Sequence, residues 1–73
     1  MSPQTLRELA VTVREHGPVS YYWVLIERSS GGDWEEISVS NDYQTSWADA
    51  FDAGVVHLYR QVPDELIGPR DGG

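Results

Sequence analysis

The sequence predicts an α+β fold ordered helix–strand–strand–helix, an antiparallel hairpin packed by amphipathic helices. Three observations carry that expectation. Apolar residues recur at helical spacing toward both ends of the chain, two stretches rich in aromatic and β-branched residues lie between them, and a Ser-Ser-Gly-Gly-Asp turn separates those two stretches. At 73 residues the chain is long enough for one small domain. Residues 1–67 are assigned to that domain and 68–73 to a flexible C-terminal tail.

The first helix is expected over residues 4–16, where Leu6, Leu9, Ala10 and Val13 fall at i, i+3, i+4 and i+7. Two start signals compete. Ser2-Pro3 offers an N-cap followed by Pro at the first helical position, and Thr5 with Glu8 has the spacing of a capping box. His16, Gly17 and Pro18 read as the stop.

Val19 to Arg28 reads as a strand, Ser29 to Asp33 as the turn, Trp34 to Ser40 as the return strand, and Asn41 to Thr45 as a connector. A two-residue turn at Gly31-Gly32 sets Val24 against Val39 and Ile26 against Ile37, but also Glu27 against Glu36, an unfavourable pair. A turn at Gly32-Asp33 removes that clash and leaves the faces unchanged, because the side-chain period is two. One face then carries Tyr22, Val24, Ile26, Ile37 and Val39 and reads as the core face. The other carries Tyr21, Trp23, Leu25, Glu27, Trp34, Glu36, Ser38 and Ser40.

Residues 46–62 read as the second helix, capped by Ser46, with Asp49 and Asp52 near its start and Arg60 near its end to suit the dipole. Trp47, Ala50, Phe51, Val55, Leu58 and Val62 form its apolar stripe, and Gly54 on that stripe is expected to permit close approach to the sheet. Pro63 ends it.

The strand Tyr22-Trp23-Val24-Leu25, Ser40 followed by Tyr43, and the Ser46, Ala50 and Gly54-Val55 positions resemble the small bacterial domains of the YegP-like family, over about half of the chain. This chain differs by a longer turn and an expected N-terminal helix. The resemblance implies a hairpin-plus-helix layout and no established chemistry.

Composition narrows the function classes. With no cysteine there is no disulfide framework, thiolate metal site or cysteine nucleophile. Twelve Asp and Glu against five Arg, with no Lys, give a net charge of −7, which argues against direct nucleic-acid binding. The apolar run from Tyr21 to Ile26 is far shorter than the ~20 residues of a membrane span. A cytoplasmic location is the default expectation. No cofactor, metal site or catalytic residue is assigned. His16 reads as a helix-end contact and His57 as a solvated side chain. Asp49, Asp52, Asp33, Glu35 and Glu36 read as capping and solubilising charges, and the glycine turn lacks both the Lys and the following helix of a phosphate loop.

What remains is a small acidic, non-catalytic protein-interaction module with a protein partner. Tyr21, Trp23, Leu25, Trp34 and Glu36 are the candidate partner-binding residues, on the mixed aromatic face; the competing reading is that the first helix covers this face with its Leu6, Leu9, Ala10 and Val13 stripe. On this expectation Trp23→Ala weakens association without unfolding the chain. The alternatives are an acidic inhibitor or nucleic-acid mimic that engages a basic partner, and a ligand-binding or enzyme domain whose site is shared between subunits. A core this small also raises the expectation of a homodimer, with a larger sheet formed across the interface.

Overall fold

The computed structural model describes residues 6–70 and folds them as an antiparallel sheet of three strands, in the order β1-β2-β3, with one helix laid against it. The strands are β1 (Leu9–Gly17), β2 (Ser20–Arg28) and β3 (Trp34–Val39), and the helix is α1 (Trp47–Tyr59). The α+β class holds. The helix–strand–strand–helix order does not, because the segment expected as the first helix forms β1; the proposed caps at Ser2-Pro3 and Thr5 lie outside the described residues.

Two periods coexist in that segment. Leu6, Leu9, Ala10 and Val13 mark a helical stripe, but Leu9, Val11 and Val13 also alternate, and Val11-Thr12-Val13 is a run of β-branched side chains that favours a pleated backbone. The ladder decides between them. A two-stranded hairpin is marginal in water, and β1 completes a third strand by pairing Leu9 with Glu27 through to Glu15 with Tyr21. Gly17 and Pro18, which resemble a helix stop, belong instead to the tight β1–β2 turn that closes Gly17 on Ser20. Val19 completes that turn at φ 49°, a left-handed conformation that β-branched residues seldom adopt. The register shifts between Glu15 and Gly17, and His16, in this bulge, stacks on Tyr43 with ring centroids 4.6 Å apart.

The β2–β3 hairpin is as expected in its strands but not in its register. Val24 pairs with Val39 and Leu25 with Ser38, but a bulge at the next step pairs Ile26 with Glu36, Glu27 with Glu35 and Arg28 with Trp34. The extra residue at Ile37 reverses the parity of the turn-proximal half of β3. Trp34 and Glu36 therefore lie on the Val24–Ile26 face, not with Trp23. In the turn itself Ser29 N–H donates to the Asp33 carbonyl at 2.7 Å, and Gly32 takes φ 93°.

The helix packs on the face carrying Leu9, Val11, Val13, Trp23 and Leu25. This reverses the expected assignment of core and outer faces, and the third strand is the reason. Its alternation adds Leu9, Val11 and Val13 to this side, and Ala10, Thr12 and Arg14 to the other. Ser46 caps the helix as expected, its side chain accepting from Asp49 N–H at 3.1 Å. Ala50 and Gly54 are the buried helical residues. At the C-terminal side, Gly68 to Arg70, expected to begin a free tail, lie against the N-terminal segment: Arg7 N–H donates to the Pro69 carbonyl at 2.9 Å, and Leu6 bridges Arg70.

A Cβ built at Gly54 would stand 2.5 Å from Val11 Cγ1 and 2.8 Å from Trp23 Cβ. Both neighbours are anchored close to the backbone and have little room to yield. Gly54→Ala is therefore expected to destabilise the fold by about 1–3 kcal/mol through overpacking, overriding the ~1 kcal/mol gain in helix propensity. A lower urea midpoint at unchanged m-value checks this; a raised midpoint would contradict the close approach.

Candidate interaction surface

Burial sorts the five residues expected to bind a partner. Leu25 is fully buried and Trp23 is 8% exposed; with Val24 and Ala50 they make up the buried apolar core. Tyr21 is half-buried and pairs through its backbone with Gln44, its N–H donating at 2.8 Å and its carbonyl accepting at 2.7 Å. Trp34 and Glu36 are exposed, but on the opposite side of the sheet. The expected aromatic face is thus divided: Trp23 and Leu25 are beneath α1, and only the bulge-shifted part of β3 is presented to solvent.

Over Trp23 sits His57, with ring centroids 4.5 Å apart and a tilt of 31°. His57 Nε2 lies 3.3 Å from Ser38 Oγ. The expectation of a solvated His57 is corrected here, because the helix turns the ring inward against β2 and β3. No sequence signal marks Ser38 and His57 as neighbours, since the bulge at Ile37 sets where Ser38 falls. The pair has the elements of a nucleophile and base, but among the described residues no carboxylate bonds the second imidazole nitrogen to orient it. His57 thus rests on Trp23 and meets Ser38.

Among the described residues no helix lies over the opposite face. At its centre Val24 is nevertheless fully buried, between Thr12 on β1 and Val39 on β3. Arg14 Nη1 donates to Glu36 Oε2, and the register carries that ion pair from β1 to β3 across the row of Val24. Around this strap Trp34, Ile37 and Val39 are 50%, 41% and 43% exposed.

Charge on this face is balanced. Arg14 faces Glu36, and Arg28 lies 3.7 Å from Glu8 beside Trp34. The excess acid of the chain is carried elsewhere, on exposed side chains such as Glu15, Asp42, Asp49, Asp52, Asp64 and Glu65. The open face is a neutral apolar surface on a strongly acidic molecule.

At the turn end of the sheet a groove of about 380 Å³ is lined by Arg7, Glu8, Glu27, Arg28 and Glu35 among others. Arg7 grips Glu27 with two hydrogen bonds, Nε to Oε2 at 3.0 Å and Nη2 to Oε1 at 3.1 Å. This relieves the like-charge opposition of Glu27 and Glu35 across β2 and β3. With three carboxylates to two guanidiniums, the groove does not favour an anion. Among the described residues no group of three or more His, Cys, Asp or Glu is placed to hold a metal ion. No helix in the described residues is long and apolar enough to cross a membrane. Compared with known proteins, the chain matches no family model, no curated protein and no solved structure.

Two outcomes follow from these positions. Trp23→Ala is expected to destabilise the fold by about 3–5 kcal/mol, seen as loss of the cooperative urea transition, since the indole is a core group and not a docking one. The Glu27 carboxyl is held below its ordinary pKa chiefly by the hydrogen bond from Arg7, with desolvation opposing and the Arg7 charge assisting. A depressed folded-state pKa gives stability that is present above the unfolded value and is lost as pH falls through the folded one. Glu27→Gln should therefore lower stability at pH 7 by about 1 kcal/mol or less and flatten its acid-side decline, measured by urea unfolding from about pH 7 down to about pH 3.

Proposed function

We propose that this protein is a non-catalytic interaction module that seats a folded protein partner on the open face of its sheet. The observation that carries this reading is the exposure of Trp34 and Val39 on a face with balanced charge, with the exposed Ile37 in the bulge between them, while the helix lies on the other side. An aromatic ring and aliphatic side chains grouped about a paired Arg and Glu make a surface of mixed apolar and polar character, as protein-binding surfaces have. The backbone beneath it is fixed by the ladder and by the buried Val24, so binding needs little ordering of the chain. The placement of Trp23 and Leu25 in the core removes them from the binding set. Trp34 and Glu36 remain in it, joined by Ile37 and Val39.

Val39→Glu, on the open face, and Val56→Glu, on the exposed side of α1, both alter exposed side chains and are expected to change stability by no more than about 0.5 kcal/mol. Val39→Glu should abolish capture of the native partner from the host, and Val56→Glu should leave it intact. The reverse pattern, with both variants folded by circular dichroism, would place the docking surface on the helix and overturn the reading.

A further inference from the structure

We infer that the outer edge of β1 is a further docking site, which takes an extended strand of another protein, basic at its N-terminal end, as an antiparallel fourth strand of the sheet. The site is separate from the open face and does not rest on it.

The ladder dictates which backbone groups are free. Arg28 N–H donates to the Glu8 carbonyl, so the backbone polar groups of Glu8, Ala10, Thr12 and Arg14 point to β2, and those of Leu9, Val11, Val13 and Glu15 point outward. Among the described residues nothing hydrogen-bonds to these outward groups. The complement of a free strand edge is another strand. The chain shows this pairing on the same edge just before β1: Arg7 N–H donates to the Pro69 carbonyl at 2.9 Å, and Leu6 bridges Arg70 in the antiparallel sense. Beyond that short segment, Leu9 to Glu15 form a regular edge with no bulge, Pro or Lys to guard it. The β3 edge is guarded. It is shorter, it is broken by the bulge at Ile37, and Glu35 and Glu36 stand side by side on it.

Packing leaves room for a fourth strand. Gly54 of α1 lies against Val11 and Trp23, so the helix sits over β1 and β2. A helix ~10 Å across covers about two strands spaced ~4.8 Å apart. On β2, Trp23 and Leu25 are buried beneath it, whereas on β1 Leu9, Val11 and Val13 face the same helix and stay half-buried. Around the helix from Gly54, His57 leans toward Ser38 on β3, which puts Phe51, Val55 and Leu58 on the β1 flank. These three are also half-buried. A strand beside β1 would set its alternate apolar side chains between that flank and the row of Leu9, Val11 and Val13.

Charge selects the occupant. Tyr21, opposite Glu15, pairs with Gln44 just ahead of α1, so the helix starts at the Glu15 end of the edge. Exposed Glu15, Asp42, Asp49 and Asp52 gather at that end, where Arg14 is held by Glu36. Arg7, Arg28, Arg60 and Arg70 lie toward the other end. An antiparallel strand enters with its N-terminal end beside Glu15, and a Lys or Arg there is drawn by the acidic field. A second copy brings its own net charge of −7 and is repelled.

The test alters a peptide and leaves the protein intact. The isotope-labelled full chain is titrated with KTVTVTI, blocked at both ends, whose Lys is set against Glu15 and whose apolar residues are set against Val13, Val11 and Leu9. Saturable amide NMR shifts are expected below about 1 mM, centred on Leu9, Val11, Val13 and Glu15. N-methylation of the two peptide valines removes N–H groups aimed at β1 and should weaken binding about tenfold or more. N-methylation of the threonines, whose N–H groups aim away, should change it less than about twofold. ETVTVTI should bind at least about threefold more weakly than KTVTVTI.

Absence of shifts, equal loss from either methylation pattern, or equal binding of the Lys and Glu peptides would each overturn the inference. So would shifts confined to Trp34 and Val39, which would move binding to the open face. Protection of the Leu9, Val11 and Val13 amides in the peptide-free chain that fades on dilution would put a second copy on the edge and overturn the choice of occupant.

Discussion

The closeness of α1 to the sheet at Gly54 is the constraint from which the rest of the architecture follows. The helix backbone there approaches Val11 and Trp23 so nearly that a methyl group has no room. That approach carries Ala50 into the core and brings the His57 ring over Trp23. It requires a flat apolar platform two strands wide, which β1 and β2 supply through Val11 and Trp23, at adjoining rows of the ladder. Without β1 the helix would have only the single row of β2 to rest on. The third strand and the buried glycine are thus one feature seen from two sides.

Once the helix has chosen the Val11–Trp23 side, the other side of the sheet must be made tolerable to water. It is done with charge. The Arg14–Glu36 pair spans the row of Val24, and the Arg28–Glu8 pair stands at the turn end of the same face. Surface ion pairs of this kind contribute little to stability by themselves. The effect of the Arg14–Glu36 pair is geometric: it spans the row of the fully buried Val24 while Trp34, Ile37 and Val39 stay partly open.

Much of the hairpin and of the second helix is legible in the sequence because their signals are local. The Gly-rich turn, the Ser46 cap, the glycine on the helical stripe and the strand composition of β2 each act within a few residues. The first element misleads because its two periodicities overlap, and a β-branched run at Val11-Thr12-Val13 outweighs a helical stripe only when a neighbouring strand is present to pair with it. The bulge at Ile37 displaces the candidate surface. Reading β3 as an uninterrupted alternation puts Trp34 and Glu36 beside Trp23, and the single extra residue moves them to the other side. Neither the bulge nor the choice of face by α1 has a local signature. Both are set by how three strands and a helix fill space together.

The charge arrangement joins fold to function. A chain with five Arg and no Lys has few cations to place, and among the described residues Arg7, Arg14 and Arg28 pair with Glu27, Glu36 and Glu8, each pair tying β2 or β3 to β1 or the residues just before it. Arg suits this role because its forked guanidinium can hold a carboxylate with two hydrogen bonds, as Arg7 does. Drawing the cations into the sheet leaves the carboxylates to dominate the helix and the loops. The outcome is an acidic molecule whose open sheet face is electrically quiet. Such a face neither attracts nor repels by charge, so on the proposed reading a partner would be selected there by shape and apolar fit.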